Sequence, residues 1–327
     1  MTARVDGGAA AAVPPRLASQ PTVRRARGLW RDAWYRLTRN RAAVVSLVFV
    51  VLLLLVAIFA SALAPYPFAQ QDLDSTDLSP GGAHLFGTDG LGRDLLSRLV
   101  YGSRISLAVA LVDVGIILLI GVPLGLIAGF FGRWADTLIM RTVDILLAFP
   151  SLLLVIVVIT YLRAVLDQGE GPLLGIVSSL DKVSGGLFGV FIALALVSWL
   201  TVARLVRGQV LSLKEKEFVE AARMIGAANV RIMTRHLLPN TLAPIIVAAT
   251  FGIPLAISAE AGLSFLGLGV RPPYPSWGIL IAEGLRNMRA FPHELVFPAV
   301  ILAITLICFN FLGDGLRDAL DPKLRVD

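Results

Sequence analysis

The chain has 327 residues, 56% of them apolar and 16% charged, with a net charge of +6 and a mean hydropathy of +0.78. A soluble domain covers its surface with about 25% charged residues, so a water-soluble globular enzyme is excluded, and so is a disordered chain. The single cysteine, Cys308, lies in an apolar run, which excludes a disulfide scaffold.

Residues 1–41 carry nine Arg and only two acids, and no short apolar signal core precedes them. They read as an uncleaved, Arg-rich tail. Within it Leu29, Trp30, Ala33, Trp34 and Leu37 recur at helical spacing among Arg31, Arg36 and Arg39. That pattern predicts a helix over about 27–39 lying in the headgroup layer, its Trp rings at the interface.

Six apolar runs follow: 42–64, 105–131 (interrupted only by Asp113), 145–162, 183–203, 241–259 and 295–313. Each reaches or approaches the roughly 20 residues that a span requires. Lipid offers the backbone no hydrogen-bond partners, so each must be a helix. The expected fold is an all-α integral membrane protein with six transmembrane helices. With the N-terminus inside, 21 Lys and Arg fall on the cytoplasmic side and 8 on the other. Positive charge favours the cytoplasm, so both termini are expected there, and the basic excess is an orientation signal rather than a nucleic-acid surface.

Catalytic constellations are missing from the sequence. His84, His236 and His293 fall in separate loops, and none of Lys182, Lys214, Lys216 or Lys323 closes a phosphate-binding loop. The chain is expected to be no enzyme and to hold no cofactor or metal.

The outer segment 87–101 predicts a short surface helix capped by Thr88 or Asp89, with Asp94 and Arg98 as an i,i+4 pair. In the cytoplasmic loop, Phe218, Ala222 and Ile225 share a helical face and Gly226 ends the helix. Asn229 is expected to cap a second short helix that Pro239 terminates. An apolar ridge in cytosol needs a cover, from a partner or from the protein's own spans. Of the acids near the spans, Asp113 and Glu260 are placed toward the outer ends and Asp144 and Asp314 toward the inner ends, where pairing or water contact suits them. Glu260 is the pathway candidate, because Gly262, Gly267 and Gly269 permit irregular backbone beside it.

Glu220-Ala221-Ala222, Gly226, His236 and Leu238-Pro239 together resemble the EAA loop of ABC-importer permeases, with His236 where the general motif commonly has Ile. Arg235 to Asn240 is similar to the peptide/nickel branch. The stretch containing Gly87, Thr88, Asp89, Gly92, Arg93 and Asp94 resembles the outer-loop signature of its C-type permeases. The stretches around Glu260–Gly267, Trp277-Gly278 and Leu312–Asp318 are similar too. The resemblance implies a MetI-like, type I importer fold over 105–317 with a coupling loop at about 204–240. The first span and outer loop would then occupy 42–104, and a cytoplasmic tail 318–327. It also implies a heterodimeric pore formed with a second permease, two cytoplasmic ATPases that bind ATP and Mg, an external solute-binding protein and a prokaryotic plasma membrane. Glu220, Ala221, Ala222, Gly226, Leu238 and Pro239 would contact the ATPases, and the cargo would be dipeptides or oligopeptides. Nickel or another small solute, ion-coupled secondary transport and a non-transporting membrane scaffold remain the alternatives.

Overall fold

The computed structural model describes residues 29–168 and 172–321. Most of the Arg-rich tail and the last six residues lie outside the described residues. The described chain is helical, and its only β pairing is two isolated bridges, Gly81 with His84 and Thr88 with Asp94.

Helix α1 (Leu29–Arg39) is followed after one residue by α2 (Arg41–Ile58), whose N-cap is Asn40: its Oδ1 accepts from the Ala43 N–H at 3.2 Å. In α1, Ala33 and Leu37 are buried against Ala43, Ala319 and Leu320, while Trp34 and Tyr35 point outward. The amphipathic helix is present, and part of its apolar side is used to grip the last helix.

Helix α3 runs from Leu95 to Phe131, 37 residues, or about 55 Å. The surface helix expected after residue 87 is the first turns of this span. Neither Thr88 nor Asp89 caps it. Asp94 does, through Oδ2, which accepts from Ser97 N–H at 2.8 Å and Ser97 Oγ–H at 2.6 Å. The early start puts Asp113 at the middle of the helix instead of near its outer end.

The third run is bent rather than straight. Helix α4 (Arg133–Ala148) and α5 (Ser151–Gln168) meet at a 92° elbow. Pro150 explains it: the residue before a proline is pushed out of the helical region, and Phe149 sits at φ −84°, ψ 139°. A short helix, α6 (Pro172–Val183), leads to α7 (Leu187–Leu213). Helix α7 continues ten residues past the expected end because its charges are matched. Arg204 pairs with Asp144 and Arg207 with Asp136, both on α4.

Helix α8 (Glu217–Met224) precedes α9 (Asn229–Phe265), then α10 (Trp277–Asn287) and α11 (His293–Leu320). Pro239 does not terminate its helix. A π-helical turn, Met233–Leu237, opens just ahead of it, and Leu238 N–H bonds to the Met233 carbonyl. The widened turn relieves the clash between a proline ring and the carbonyl four residues back. Helix α3 uses the same device. Its π turn Ile117–Gly121 precedes Pro123, with Val122 N–H bonded to the Ile117 carbonyl.

Five of the described helices are long and apolar enough to cross a membrane, or six with the α4–α5 pair as one bent span. Small residues bring two of them close. A Cβ on Gly121, Gly125 or Gly129 would approach α7 atoms to 2.9, 2.6 and 2.7 Å, so the glycine stripe lets α3 lie directly on α7.

Candidate functional site

Three places hold the residues singled out by sequence: a knuckle around α8, a cap over the start of α3, and the space between the spans. Because α3 begins under the cap and ends at the knuckle, the two lie at opposite ends of the bundle.

The knuckle is a rigid turn. Ala227 N–H bonds to the Ala222 carbonyl at 3.0 Å and Gly226 N–H to the Arg223 carbonyl at 2.9 Å, with Gly226 at φ +78°. This is a Schellman C-cap, and glycine is the residue that adopts its left-handed position without a steric cost. Ala228, with φ −63° and ψ 147°, starts α9 in place of Asn229. Val219 and Ala222 are fully or nearly buried against Val210, Ile232 and Leu237, so α8 is clamped to α7 and α9. Arg223 lies over the Phe130 ring of α3 at 5.7 Å.

The expected common face of Phe218, Ala222 and Ile225 is divided. Ala222 turns inward beside Val219, whereas Ile225 has left the helix at the C-cap and swings out. Met224 and Ile225 are 82% and 85% exposed, and Phe218 and Val230 are exposed beside them. Glu217, Glu220, Ala221, Arg223 and Pro239 are exposed as well, and Leu238 is half-buried. One side of the knuckle is therefore folded on its own spans, and the other is an apolar knob ringed by charge.

The cap is built from buried ions. Asp89 Oδ1 accepts from the Leu91 and Arg93 N–H groups at 2.9 and 3.0 Å. Its Oδ2 takes Arg93 Nε at 2.8 Å and also Arg98 Nη1. Arg98 continues to Glu283 on α10 at 2.6 Å, and Arg93 Nη2 reaches the same carboxylate at 3.3 Å. Arg98 is thus paired with Asp89 and Glu283 and not with Asp94, which serves as the N-cap and faces His84 Nδ1 at 2.9 Å. Thr88 is buried, its hydroxyl accepting from Leu78 N–H at 2.8 Å. Gly87 and Gly92 both have positive φ. At Gly92, with φ +68°, a Cβ would fall 1.7 Å from the Asp72 carbonyl oxygen, so only glycine fits.

Glu260 is completely buried. Ser264 and Ser106 hydroxyls donate to it at 2.6 and 3.2 Å, and Ser276 Oγ lies 3.2 Å from Ser264 Oγ. It joins α9 to α3 and to the start of α10. It is not among the lining residues of the cavity between the spans. That cavity, of about 600 Å³ and open on one side, is lined by α3, the α4–α5 elbow, α7 and α9, and Asp113 is in its wall. The Ser198 hydroxyl donates to Asp113 Oδ1. The sequence signal for Asp113 is plain: it is the only charge in the run 105–131. Among the described residues no group of three or more His, Cys, Asp or Glu is arranged to hold a metal ion.

Comparison with known proteins agrees with these features. Residues 121–326 match the model of the binding-protein-dependent transport system inner membrane component. Residues 28–80 match the N-terminal transmembrane domain of oligopeptide transport permease C. The chain is 43% identical to the oligopeptide transport system permease protein OppC of Bacillus subtilis, over 91% of this chain and 90% of that one. It is 42% identical to the dipeptide transport system permease protein DppC of Alkalihalophilus pseudofirmus, over 90% of each. To the glutathione transport system permease protein GsiD of Pectobacterium atrosepticum it is 40% identical, over 94% and 97%. In structure it shares the fold of a chain of the inward-facing methionine ABC transporter MetNI, with a TM-score of 0.52 and 22% identity. That match covers 69% of this chain and 98% of the other. The chain, a multi-pass α-helical membrane protein, belongs to the peptide/nickel family of ABC importers as a permease subunit.

Proposed function

We propose that this chain is the C-type half of a heterodimeric pore that imports dipeptides or oligopeptides handed over by an external binding protein. Two cytoplasmic ATPases supply the work, and both termini lie on the cytoplasmic side of a prokaryotic plasma membrane. The observation that carries this reading is the knuckle. Its inner side is locked on three spans, while its outer side presents Phe218, Met224, Ile225 and Val230 among Glu217, Glu220 and Arg223. An exposed apolar group rimmed by charge marks a protein contact. A rigid contact clamped to spans can pass on a rigid-body rotation. Glu220 and Ala221 belong to the contact surface, Ala222 to the clamp, and Gly226 to the turn. Leu238 and Pro239 follow the π turn that aims α9.

The cap supports a different task. Asp89, Arg93 and Asp94 spend their side chains on the protein itself, with Gly87, Thr88 and Gly92 fixing the loop, so the segment holds the outer ends of the spans in register. Glu260 belongs with the cap as a brace between α3, α9 and α10 rather than as a cargo contact. Peptide cargo is supported by the names of the relatives, which are oligopeptide, dipeptide and glutathione permeases.

The test is reconstitution with a second permease, the ATPases and the binding protein. Gly226→Asp puts a side chain in a left-handed position and a charge in the knob. It is expected to abolish ATP-dependent peptide uptake while the permease still folds. Full uptake together with normal retention of the ATPases in that variant would falsify the coupling role.

A further inference from the structure

The space between the spans contains an acid for which the cap and the knuckle have no use. Asp113 is 18 residues from either end of α3, about 27 Å along the axis. It is 5% exposed, and among the described residues its carboxylate has one hydrogen bond, from the Ser198 hydroxyl on α7. Among the described residues no Lys, Arg or His pairs with it. Acids at such depth are rare and face the bundle interior or a water-filled cavity. Asp113 lines a cavity of about 600 Å³, within the roughly 300–1,000 Å³ of small-ligand sites.

The chemistry of the wall is lopsided. Asp113 is the only ionisable residue among the described lining residues. Ser151, Ser198 and Thr201 add hydroxyls, and everything else is apolar. Leu152 and Leu255 stand exposed at the rim. Two irregular backbone features form the wall beside the acid. The α4–α5 elbow at Pro150 contributes Ser151, and the π turn of α3 begins at Ile117, whose N–H reaches back to the Asp113 carbonyl. π turns of this kind are frequent at functional sites.

We infer that Asp113, with Ser198 and Thr201, forms the cargo subsite of this subunit and receives the α-ammonium group of the peptide, the apolar wall accepting the side chains. The inference rests on the peptide reading above. One carboxylate among hydroxyls, with no imidazole or thiol in the described lining, suits an ammonium better than a transition-metal ion. An ammonium supplies the positive partner that Asp113 lacks among the described residues, and its three donors match the carboxylate and the neighbouring hydroxyls.

The assembled transporter in vesicles tests this with alanyl-alanine and its N-acetyl form. Asp113→Asn is expected to lower the ratio of free-amine to acetylated uptake at least tenfold, and Asp113→Glu to restore it to within about threefold. Equal loss of both substrates, or an unchanged ratio, overturns the subsite and leaves Asp113 as a structural partner of Ser198. A second readout does not depend on delivery by the binding protein. Val197→Cys places a thiol in the cavity wall, against a background in which Cys308 is buried. Alanyl-alanine is expected to slow its modification by a methanethiosulfonate, the acetylated form is not, and Asp113→Asn should remove the protection. Equal protection by both peptides, or none from either, overturns the inference. Failure of the peptide reading would appear elsewhere, as a wild-type complex that imports no peptide.

Discussion

At the cap end of α3, Arg98 is 1% exposed and matched by Asp89 and Glu283. At the knuckle end, Met224 and Ile225 are almost fully exposed and touch no large part of their own chain. Both ends are rich in charged residues, yet one consumes its polar groups internally and the other leaves apolar groups unfinished. The difference separates two kinds of importance. A change at the cap should be felt as lost folding, because buried charges stripped of partners are costly. A change in the exposed knob should leave the fold alone and, on the proposed function, be felt only when the ATPase partners are present.

The largest effect is expected at Arg98. Arg98→Met removes the more deeply buried of the two cations that Asp89 and Glu283 share, leaving only Arg93, and breaking a buried pair costs about 3–5 kcal/mol. Little folded protein should be recovered from membranes, as measured by size-exclusion chromatography in detergent. A normal yield would mean that the cap is not the element holding that end of the bundle together. Next comes Met224→Asp. An exposed substitution usually moves stability by less than about 0.5 kcal/mol, so the melting temperature in detergent should stay put. Co-purification of the ATPase subunits should nevertheless fall at least tenfold. Should that variant lose stability instead, the knob belongs to the fold, and the contrast between the ends disappears.

Much of this contrast is local and was therefore legible. Gly226 as the end of α8, the helix over Leu29–Arg39 and the apolar spans follow from periodicity and turn chemistry, which act over a few residues. The failures come where a distant partner decides. Asp94 and Arg98 have ideal helical spacing, but a buried guanidinium takes the carboxylates available in three dimensions, and Asp94 was needed as an N-cap. Pro239 reads as a stop, and so it would be for an isolated helix. Here the packing of α9 against its neighbours sustains a π turn that absorbs the proline, as α3 does before Pro123. Pro150 lacks that relief and gives the 92° elbow. The Gly121, Gly125, Gly129 stripe takes its meaning from α7, a partner that only the fold supplies. Glu260 and Asp113 show the same limit. Both are acids in apolar runs, and only the fold tells which one is covered by serines and which one lines a cavity.

Asp94→Ala sharpens the cap side of the comparison. Loss of an N-cap side chain costs about 0.5–2 kcal/mol, and this one also removes the contacts with Ser97 Oγ and His84. The melting temperature should fall clearly, by less than for Arg98→Met, with the folded protein still recoverable. Asp94→Asn keeps an acceptor for the Ser97 N–H and should recover part of the difference.

The smallest effect is expected at an ion pair near the knuckle that superficially resembles the cap. Arg204 Nη2 lies 2.6 Å from Asp144 Oδ1, a distance as short as that between Arg98 and Glu283, but the two side chains are 51% and 56% exposed. Water and salt screen such a pair, and exposed pairs contribute about 0.2–1 kcal/mol. Arg204→Ala should therefore shift the melting temperature by about 2 °C or less, and the shift should shrink in high salt. Arg207→Ala serves as the internal control. Its guanidinium meets Asp136 through two nitrogens and is less exposed, so its loss should cost more and respond less to salt. Distance alone would rank Arg204 with Arg98. If their measured losses were equal, burial would not be what distinguishes the two ends of the bundle.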